Sequence, residues 1–364
     1  MRYHFSGIAG VGMNPLAQLM RARGHAVQGS DRSFDQGKNL DVAGRLTELG
    51  IVVKPQDGSA VSPNLDRFVY STAVEAETPE VRAARSYGIE RVPRPALLAE
   101  VVDAGRPGVA IAGTSGKSTI TGMVGWLTRE AGRSATVLGG AALAGEGGAG
   151  CFLPGAADGP VAAEACESDG TLTGYHAALG LIHNISRDHG EVEALLPQFE
   201  TFAKRCGLLL VNAASPEAAE VGRAVGARSY GIDSGADARL EVTSVGPHRA
   251  SGVLHVPGGP LALDVPQPGR HNLENAAAAA LIALELGLAP ATVTALLARF
   301  PGVAASRWSR SPRAVSAWWT TTPTTARSSA PPSRPRRPGR TGCSRSSSRT
   351  ASGPRASFAP SCAR

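Results

Sequence analysis

Apolar and polar positions alternate with two different periods along the first hundred residues. Tyr3–Ile8 and His25–Gly29 are short apolar runs bounded by turn residues, as buried strands are, and Asn14–Arg23 between them carries helical spacing. Val52-Val53 and Arg67–Ser71 predict further short strands, and Pro79–Tyr87 a helix. Such alternation predicts a parallel sheet covered by helices. Gly and Pro punctuate the chain at Ala104-Gly105-Arg106-Pro107, which marks a domain boundary.

A second α/β unit then begins. Gly108–Ala112 predicts a strand and Ser118–Ala131 a helix, with a glycine-rich loop between them. Ser134–Leu138, Pro160–Ala165, Leu179–Asn184 and Leu208–Asn212 predict buried strands. From Leu240 to Val265, turn signals at Pro247, Ser251-Gly252 and Gly258-Gly259 predict a β-meander at the sheet edge. Leu273–Leu286 and Pro290–Phe300 predict helices, with Ala276–Ala280 suited to close helix packing.

Composition narrows the class. Of 364 residues, 42% are hydrophobic and 18% charged, as in a soluble globular protein, and no stretch approaches the roughly 18 apolar residues of a membrane span. The N-terminus lacks a signal-peptide pattern. Five cysteines without a CxxC pair argue against a disulfide framework or zinc site; Cys151, Cys166 and Cys206 read as small buried or loop residues, and the expected compartment is the cytoplasm. The net charge of +7 suggests nucleic acid until its location is considered. Residues 304–364 hold 12 Arg and no acid, leaving 25 basic against 30 acidic residues elsewhere. The body is mildly acidic, so no nucleic-acid or membrane partner is expected; the sequence does not address oligomeric state.

Two loops carry chemistry. Gly113-Thr114-Ser115-Gly116-Lys117-Ser118-Thr119 lies between a strand and a helix, where backbone N–H groups and a helix N-terminus cradle phosphate. Lys117 would reach the β- and γ-phosphates and Ser118 would ligate Mg²⁺. Ile111 replaces the first glycine of the strict spacing. The other loop is Gly7-Ile8-Ala9-Gly10-Val11-Gly12-Met13, again between strand and helix. With Asp31 after the second strand it fits a dinucleotide site, although Pro15 takes the third glycine's place and no hydride-transfer site follows.

The first loop has the form found in Mur ligases and folylpolyglutamate synthases, and three further segments follow in order. Glu164-Ala165-Cys166-Glu167-Ser168-Asp169-Gly170 resembles the Mur ligase acidic segment, with Cys166 where the family carries Asp. Asn184-Ile185-Ser186-Arg187-Asp188-His189 and Gly269-Arg270-His271-Asn272-Leu273-Glu274-Asn275-Ala276 are similar to two more of its motifs. The resemblance implies an ATP-dependent ligase that activates a carboxylate as an acyl phosphate for attack by an amine. By that resemblance Lys117, Ser118, Glu164 and His189 carry catalysis, and Ser118, Glu164 and His189 hold Mg²⁺. Glu167 is a substrate-side candidate. Gly113, Thr114, Ser115, Gly116, Lys117, Ser118, Thr119, His271, Asn272 and Asn275 would bind ATP. Gly7, Gly10, Val11, Gly12, Met13, Ser30, Asp31 and Ser71 would bind a UDP-sugar, which the resemblance favours over NAD. The implied partners are UDP-N-acetylmuramate, ATP and an amino acid or short peptide. L-alanine is the expected acceptor; the alternatives are a murein tripeptide, as in the recycling branch, or a non-catalytic nucleotide-binding remnant.

The expected architecture is therefore α/β: a Rossmann-like UDP-binding domain over 1–104 and a central P-loop domain over 105–298. A linker to a third domain begins at 299–303. Residues 304–364 carry no hydrophobic periodicity, a composition that predicts disorder. The genetic code supplies a reason. Tryptophan has one codon, so Trp318-Trp319-Thr320 reads TGG TGG ACN, which two bases on gives GTG GAC, Val-Asp. In that frame the next five residues can encode Asp-Tyr-Ala-His-Asn, which resembles the Mur ligase third-domain entry. The same frame turns 304–308 into Arg-Arg-Phe-Glu-Val and 350–358 into Gly-Phe-Gly-Pro-Thr-Arg-Phe-Leu, both family-like. The expectation is a frame slip near Val303-Ala304 that removes the third domain and activity with it.

Overall fold

Five parallel strands open the computed structural model, which describes residues 1–71, 77–146, 150–167, 172–186, 192–232 and 235–304. They are β1 (Arg2–Ser6), β2 (Ala26–Ser30), β3 (Val52–Lys54), β4 (Arg67–Tyr70) and β5 (Glu90–Pro93), and they lie side by side in the order β3-β2-β1-β4-β5. The strand order reverses between β1 and β4, and ligands of open α/β sheets bind beyond the strand ends at such a point. Helices α1 (Met13–Ala22), α2 (Arg32–Asp35), α3 (Leu40–Glu48), α4 (Pro79–Ser86) and α5 (Arg94–Asp103) make the connections. Thr78 caps α4, its side chain accepting from the Val81 N–H with Pro79 next, a favoured helix start.

The second sheet has ten strands. They are β6 (Gly108–Ala112), β7 (Thr136–Gly139), β8 (Cys151–Leu153), β9 (Val161–Glu164), β10 (Leu179–Ile182), β11 (Leu208–Asn212), β12 (Arg228–Gly231), β13 (Ala238–Val245), β14 (Ala250–Val256) and β15 (Gly259–Val265). Their order is β15-β14-β13-β12-β11-β10-β6-β9-β7-β8, parallel from β13 to β7 and antiparallel at both edges. Every residue of β6 is buried, as a central strand covered on both faces requires. Helices α6 (Lys117–Glu130), α7 (Val192–Arg205), α8 (Pro216–Val225), α9 (Arg270–Glu285) and α10 (Pro290–Leu297) complete the described chain.

One apolar cluster joins the two sheets. It runs from Phe5 and Leu16 through Leu98 and Val102 on α5 to Ala110 and Ala163 on β6 and β9. Burial of one such Leu or Val is worth about 1.5–3 kcal/mol, so α5, which packs on β5 of one sheet and on β6 and β9 of the other, holds the two together. Ala276–Ala280 are all inaccessible and α9 packs on α6, with no side chain larger than methyl in that run. The Trp126 indole N–H donates to the Leu296 carbonyl at 2.9 Å, tying α6 to the end of α10. Beyond α10 the chain returns to the core: Ala144 N–H donates to Gly302 O at 2.9 Å and Ala304 N–H to Ala142 O at 2.8 Å, around a Leu143–Val303 bridge.

Two sequence expectations change here. Ser251-Gly252 is no turn but lies within β14, where a Cβ on Gly252 would meet Glu241 O at 2.5 Å; the glycine permits close strand approach. Helix α5 and strand β5 were not expected, because Pro93 and Pro95 obscure the transition between them. The tail, with its expected frame slip, lies outside the described residues beyond Ala304.

Candidate functional site

The loop after β6 is held by the segment that follows β10. Asn184, two residues past β10, accepts from Thr114 N–H at its carbonyl (3.0 Å) and from Ser115 N–H at Oδ1 (2.8 Å), and its Nδ2 donates to Ser115 Oγ at 2.9 Å. Ser186 N–H donates to Thr114 Oγ1 at 2.9 Å. Gly116 turns the chain into α6 at φ +83°, and a Cβ there would lie 2.6 Å from Asn275 Oδ1 and 2.9 Å from His183 Cδ2. Only glycine meets both the backbone and the space.

No side chain caps α6 and no acid occupies its first turn, which leaves its positive end directed at the loop. Lys117 bridges back across the loop: its Nζ donates to Gly113 O and to Glu167 Oε2 at 3.0 Å. Both partners of that ion pair are well shielded, their side chains 12% and 1% exposed. Next to it, Ser118 Oγ donates to Glu164 Oε2 at 3.1 Å, and Gly140 N–H donates to Glu164 Oε1 at 2.6 Å. Burial pushes the Glu164 carboxyl up, against the Gly140 and Ser118 bonds and the Lys117 and Arg94 charges that hold it down. Register explains the grouping: Glu164 ends β9 opposite Ile111, while His183 and Asn184 follow Ile182 of β10, opposite Ala112.

His183 is buried and its Nδ1 lies 2.6 Å from the Tyr230 hydroxyl. Burial lowers the imidazole to about 4 and raises the Tyr230 phenol well above its ordinary value. A protonated phenol and a neutral ring thus share one hydrogen bond between them. On α9, Asn272 Nδ2 donates to Pro268 O at 2.8 Å and Asn275 Nδ2 to Asn272 Oδ1 at 3.3 Å. Asn275 Oδ1 is buried without a partner among the described residues, against Gly116; His271 is exposed.

The glycine loop after β1 is built from behind. Ser30 O accepts from Gly7 and Ile8 N–H, and Asp31 Oδ2 accepts from Ala9 N–H while Oδ1 caps α2 at Ser33. Asp31 thus holds the loop, and the Ser30 hydroxyl turns inward to Glu80 rather than toward solvent. Glu80 is fully buried with His4 Nε2 at 2.9 Å and Ser6 Oγ at 2.5 Å. Burial alone would raise its carboxyl; the bonds from His4, Ser30 and Ser6 outweigh it and hold it below the usual range. The N–H groups of Val11 and Gly12 have no partner among the described residues.

The glycine loop after β1 faces a cleft. A cavity of about 420 Å³ is lined by Gly7, Gly10, Val11, Gly12, Met13 and Ser71 on one side and by Gly139, Gly140, Glu164 and Cys166 on the other, with Arg94 between. Glu164 lines this cavity and links it to the phosphate loop through its hydrogen bond from Ser118. His189 lies outside the described residues, as do Arg187 and Asp188. Arg94 was not singled out by sequence. Its signal is a basic residue at the first position of a helix, where the dipole favours acids.

Comparison with known proteins bears on this cleft. The profile described as "Mur ligase family, catalytic domain" matches residues 2–106, and "Mur ligase middle domain" matches 111–283. The chain belongs to the Mur ligase family. Among Mur ligases it is 40% identical over 319 residues to UDP-N-acetylmuramate–L-alanine ligase of Kineococcus radiotolerans, covering 83% of this chain and 65% of that protein. The enzyme of the same name from Xanthomonas oryzae pv. oryzae is 38% identical over 317 residues, with 83% and 64% covered. The crystal structure of UDP-N-acetylmuramate-alanine ligase from Thermotoga maritima superposes with a TM-score of 0.71 at 25% identity, over 83% of this chain and 69% of that one. A murein peptide ligase from Psychrobacter arcticus shares the fold, with a TM-score of 0.70 at 23% identity over the same 83% and 69%. The chain spans about two thirds of the length of the two relatives compared by sequence.

Proposed function

We propose that this chain is the nucleotide-gathering part of an ATP-dependent ligase that joins L-alanine to UDP-N-acetylmuramate. The observation that supports it most is the place of Glu164, which lines the cleft over the glycine loop after β1 and accepts from Ser118 of the phosphate loop at 3.1 Å. In this reading residues 1–104 hold the UDP-sugar and 105–298 hold ATP. The loop 113–119 wraps the phosphates, with Asn272, Asn275 and His271 near the base. ATP supplies the phosphoryl group that activates the substrate carboxylate. Lys117 exchanges Glu167 for phosphate oxygens and stabilises the charge spread over them.

The donor set fits Mg²⁺. Ser118 Oγ and the Glu164 carboxylate are hard oxygen ligands 3.1 Å apart, and a dication offsets the burial that raises Glu164. Bound there, Mg²⁺ would neutralise charge on the transferring group, and His189 completes the proposed ligand set. Among the described residues no helix is long and apolar enough to cross a membrane, and the proposed compartment is the cytoplasm.

The second half of the proposal is that turnover is lost as the chain is encoded, because residues 304–364, where a third domain would open, are read out of frame. An open cleft leaves an acyl phosphate exposed to water. The test is phosphate release by the purified protein with MgATP, UDP-N-acetylmuramate and either L-alanine or the tripeptide, before and after restoring the frame. Alanine-dependent release only in the restored protein is the expected result. Release with tripeptide alone assigns the recycling reaction instead. Release by the protein as encoded, or an unbroken coding frame on resequencing, overturns the frame proposal.

A further inference from the structure

Strand β8 is an outer edge of the second sheet, three residues long and paired with β7, where Gly139 lies opposite Cys151. Gly150, just before it, has φ +80°. A Cβ there would stand 2.3 Å from Val11 O in the glycine loop after β1, 2.8 Å from Pro15 Cγ on α1 and 3.0 Å from Gly139 O. Gly139 and Gly140 in turn close on the Glu164 carboxylate. Gly140 N–H donates to Oε1 at 2.6 Å, and a Cβ on Gly139 would stand 3.0 Å from the same oxygen. Glu164 then accepts from Ser118 of the phosphate loop. From Val11 as far as that carboxylate the close contacts run through backbone, with no side-chain rotamer to absorb a displacement. Strand β8 also borders a separate cavity of about 140 Å³, which Asn14, Gln18, Leu46, Cys151 and Leu153 line. Asn14 is buried there, its Oδ1 accepting from Gln18 Nε2 at 2.5 Å and its Nδ2 bonded to no described residue. The edge strand is thus gripped at Gly150 and has room beside the residues that follow.

We infer that Gly150 is a positioning residue that couples the two nucleotide sites, so that filling the glycine loop after β1 tightens MgATP binding at 113–119. The inference goes beyond the ligase reading and rests on it for the identity of the two ligands. A ligand seated on the loop fixes the Val11 peptide. Gly150 passes that position to Gly139, and Gly139 with Gly140 sets the carboxylate that faces Ser118. A ligand held at Glu164 and Ser118 acts back along the same contacts, because coupling between two binding equilibria is reciprocal. A methyl group on Gly150 breaks the relay at its tightest point: it must drive β8 away from the loop or from Gly139, on a backbone that disfavours any side chain. A Gly150 that served close packing alone would, when substituted, cost stability and leave the two affinities linked as before.

The experiment is calorimetric titration of the full chain, wild type and G150A, with UDP-N-acetylmuramate and the magnesium complex of a non-hydrolysable ATP analogue. Each ligand is titrated alone and with the other at saturation, alongside thermal melts. In the wild type each is expected to tighten the other by one and the same factor, about 5- to 20-fold. In G150A each ligand alone is expected to bind within about threefold of wild type, while the factor falls to about one. A folded G150A protein that keeps the wild-type factor overturns the proposal. Should G150A fail to melt cooperatively, P15A carries the test, since it removes the ring carbon that presses on Gly150 and keeps the glycine. An unchanged factor in P15A then overturns the relay. A wild type that binds both ligands independently removes the coupling and leaves the ligase reading standing. A wild type that binds neither removes that reading and the coupling with it.

Discussion

Lys117 and Glu167 form a shielded ion pair, with Nζ 3.0 Å from Oε2 across the mouth of the phosphate loop. The pair holds the lysine where phosphate oxygens would draw it, and one anion must replace the other. Glu167→Gln leaves Lys117 with carbonyl partners only, at a cost of about 2 kcal/mol, read as a fall of about 4–8 °C in melting temperature. MgATP is expected to restore most of that fall, because phosphate resupplies the lost charge. A Glu167→Gln protein that melts low with and without nucleotide would show that the carboxylate has only a structural part.

Gly116→Ala places a methyl group within 2.6 Å of Asn275 Oδ1 on a backbone at φ +83°. Expected are destabilisation of about 1–3 kcal/mol in urea unfolding and loss of MgATP binding. UDP binding is expected to persist, since the glycine loop of β1 shares no residue with the change.

His183 gives the fold a pH dependence of definite sign. Its imidazole titrates near 4 in the folded chain and near 6.5 when unfolded. Between those values the unfolded chain binds the extra proton, so stability is full above pH 6.5 and falls by about 1.4 kcal/mol per pH unit down to 4. His183→Gln removes that increment, leaving the slope of the other groups. Chemical unfolding of both proteins from pH 7 to 4 measures the difference; parallel curves would mean that His183 is not the group responsible.

Glu164 carries the opposite shift. A carboxyl raised by burial meets protons at a higher pH than an ordinary glutamate. Mg²⁺ must compete with those protons, so the gain in ATP affinity that Mg²⁺ confers is expected to fade on acidification before surface carboxylates titrate. Glu164→Gln is expected to bind ATP equally with Mg²⁺ or EDTA at every pH, and a surviving Mg²⁺ effect would place the metal elsewhere.

Where a segment's pattern is set by local burial, the sequence reveals it. Gly108–Ala112 and Leu208–Asn212 coincide with β6 and β11, because both strands are apolar and end at turn residues. The phosphate loop was legible from its glycine spacing, whereas Glu164 was named through the Mur ligase resemblance of its segment. Arg94, His183 and the Glu80–Ser30 contact were not, since each acquires its meaning from a partner across the fold. Gly252 misled because a glycine that admits a neighbouring strand and one that turns the chain look alike in sequence. Asp31 has the spacing of a ribose-binding acid, yet the structure gives both its oxygens to the loop and α2.

The short return of residues 302–304 onto 142–144 makes Ala304 a mooring rather than a loose end. It also lies along α6, where a Cβ on Gly122 would collide with Val303 at 2.5 Å. A domain continued in the restored frame would begin at that mooring and experience the nucleotide-filled core at an effective concentration fixed by a few residues of tether. Even a weak intrinsic affinity between the two would then suffice for closure. Freed of its mooring, the same domain would have to find the cleft by diffusion.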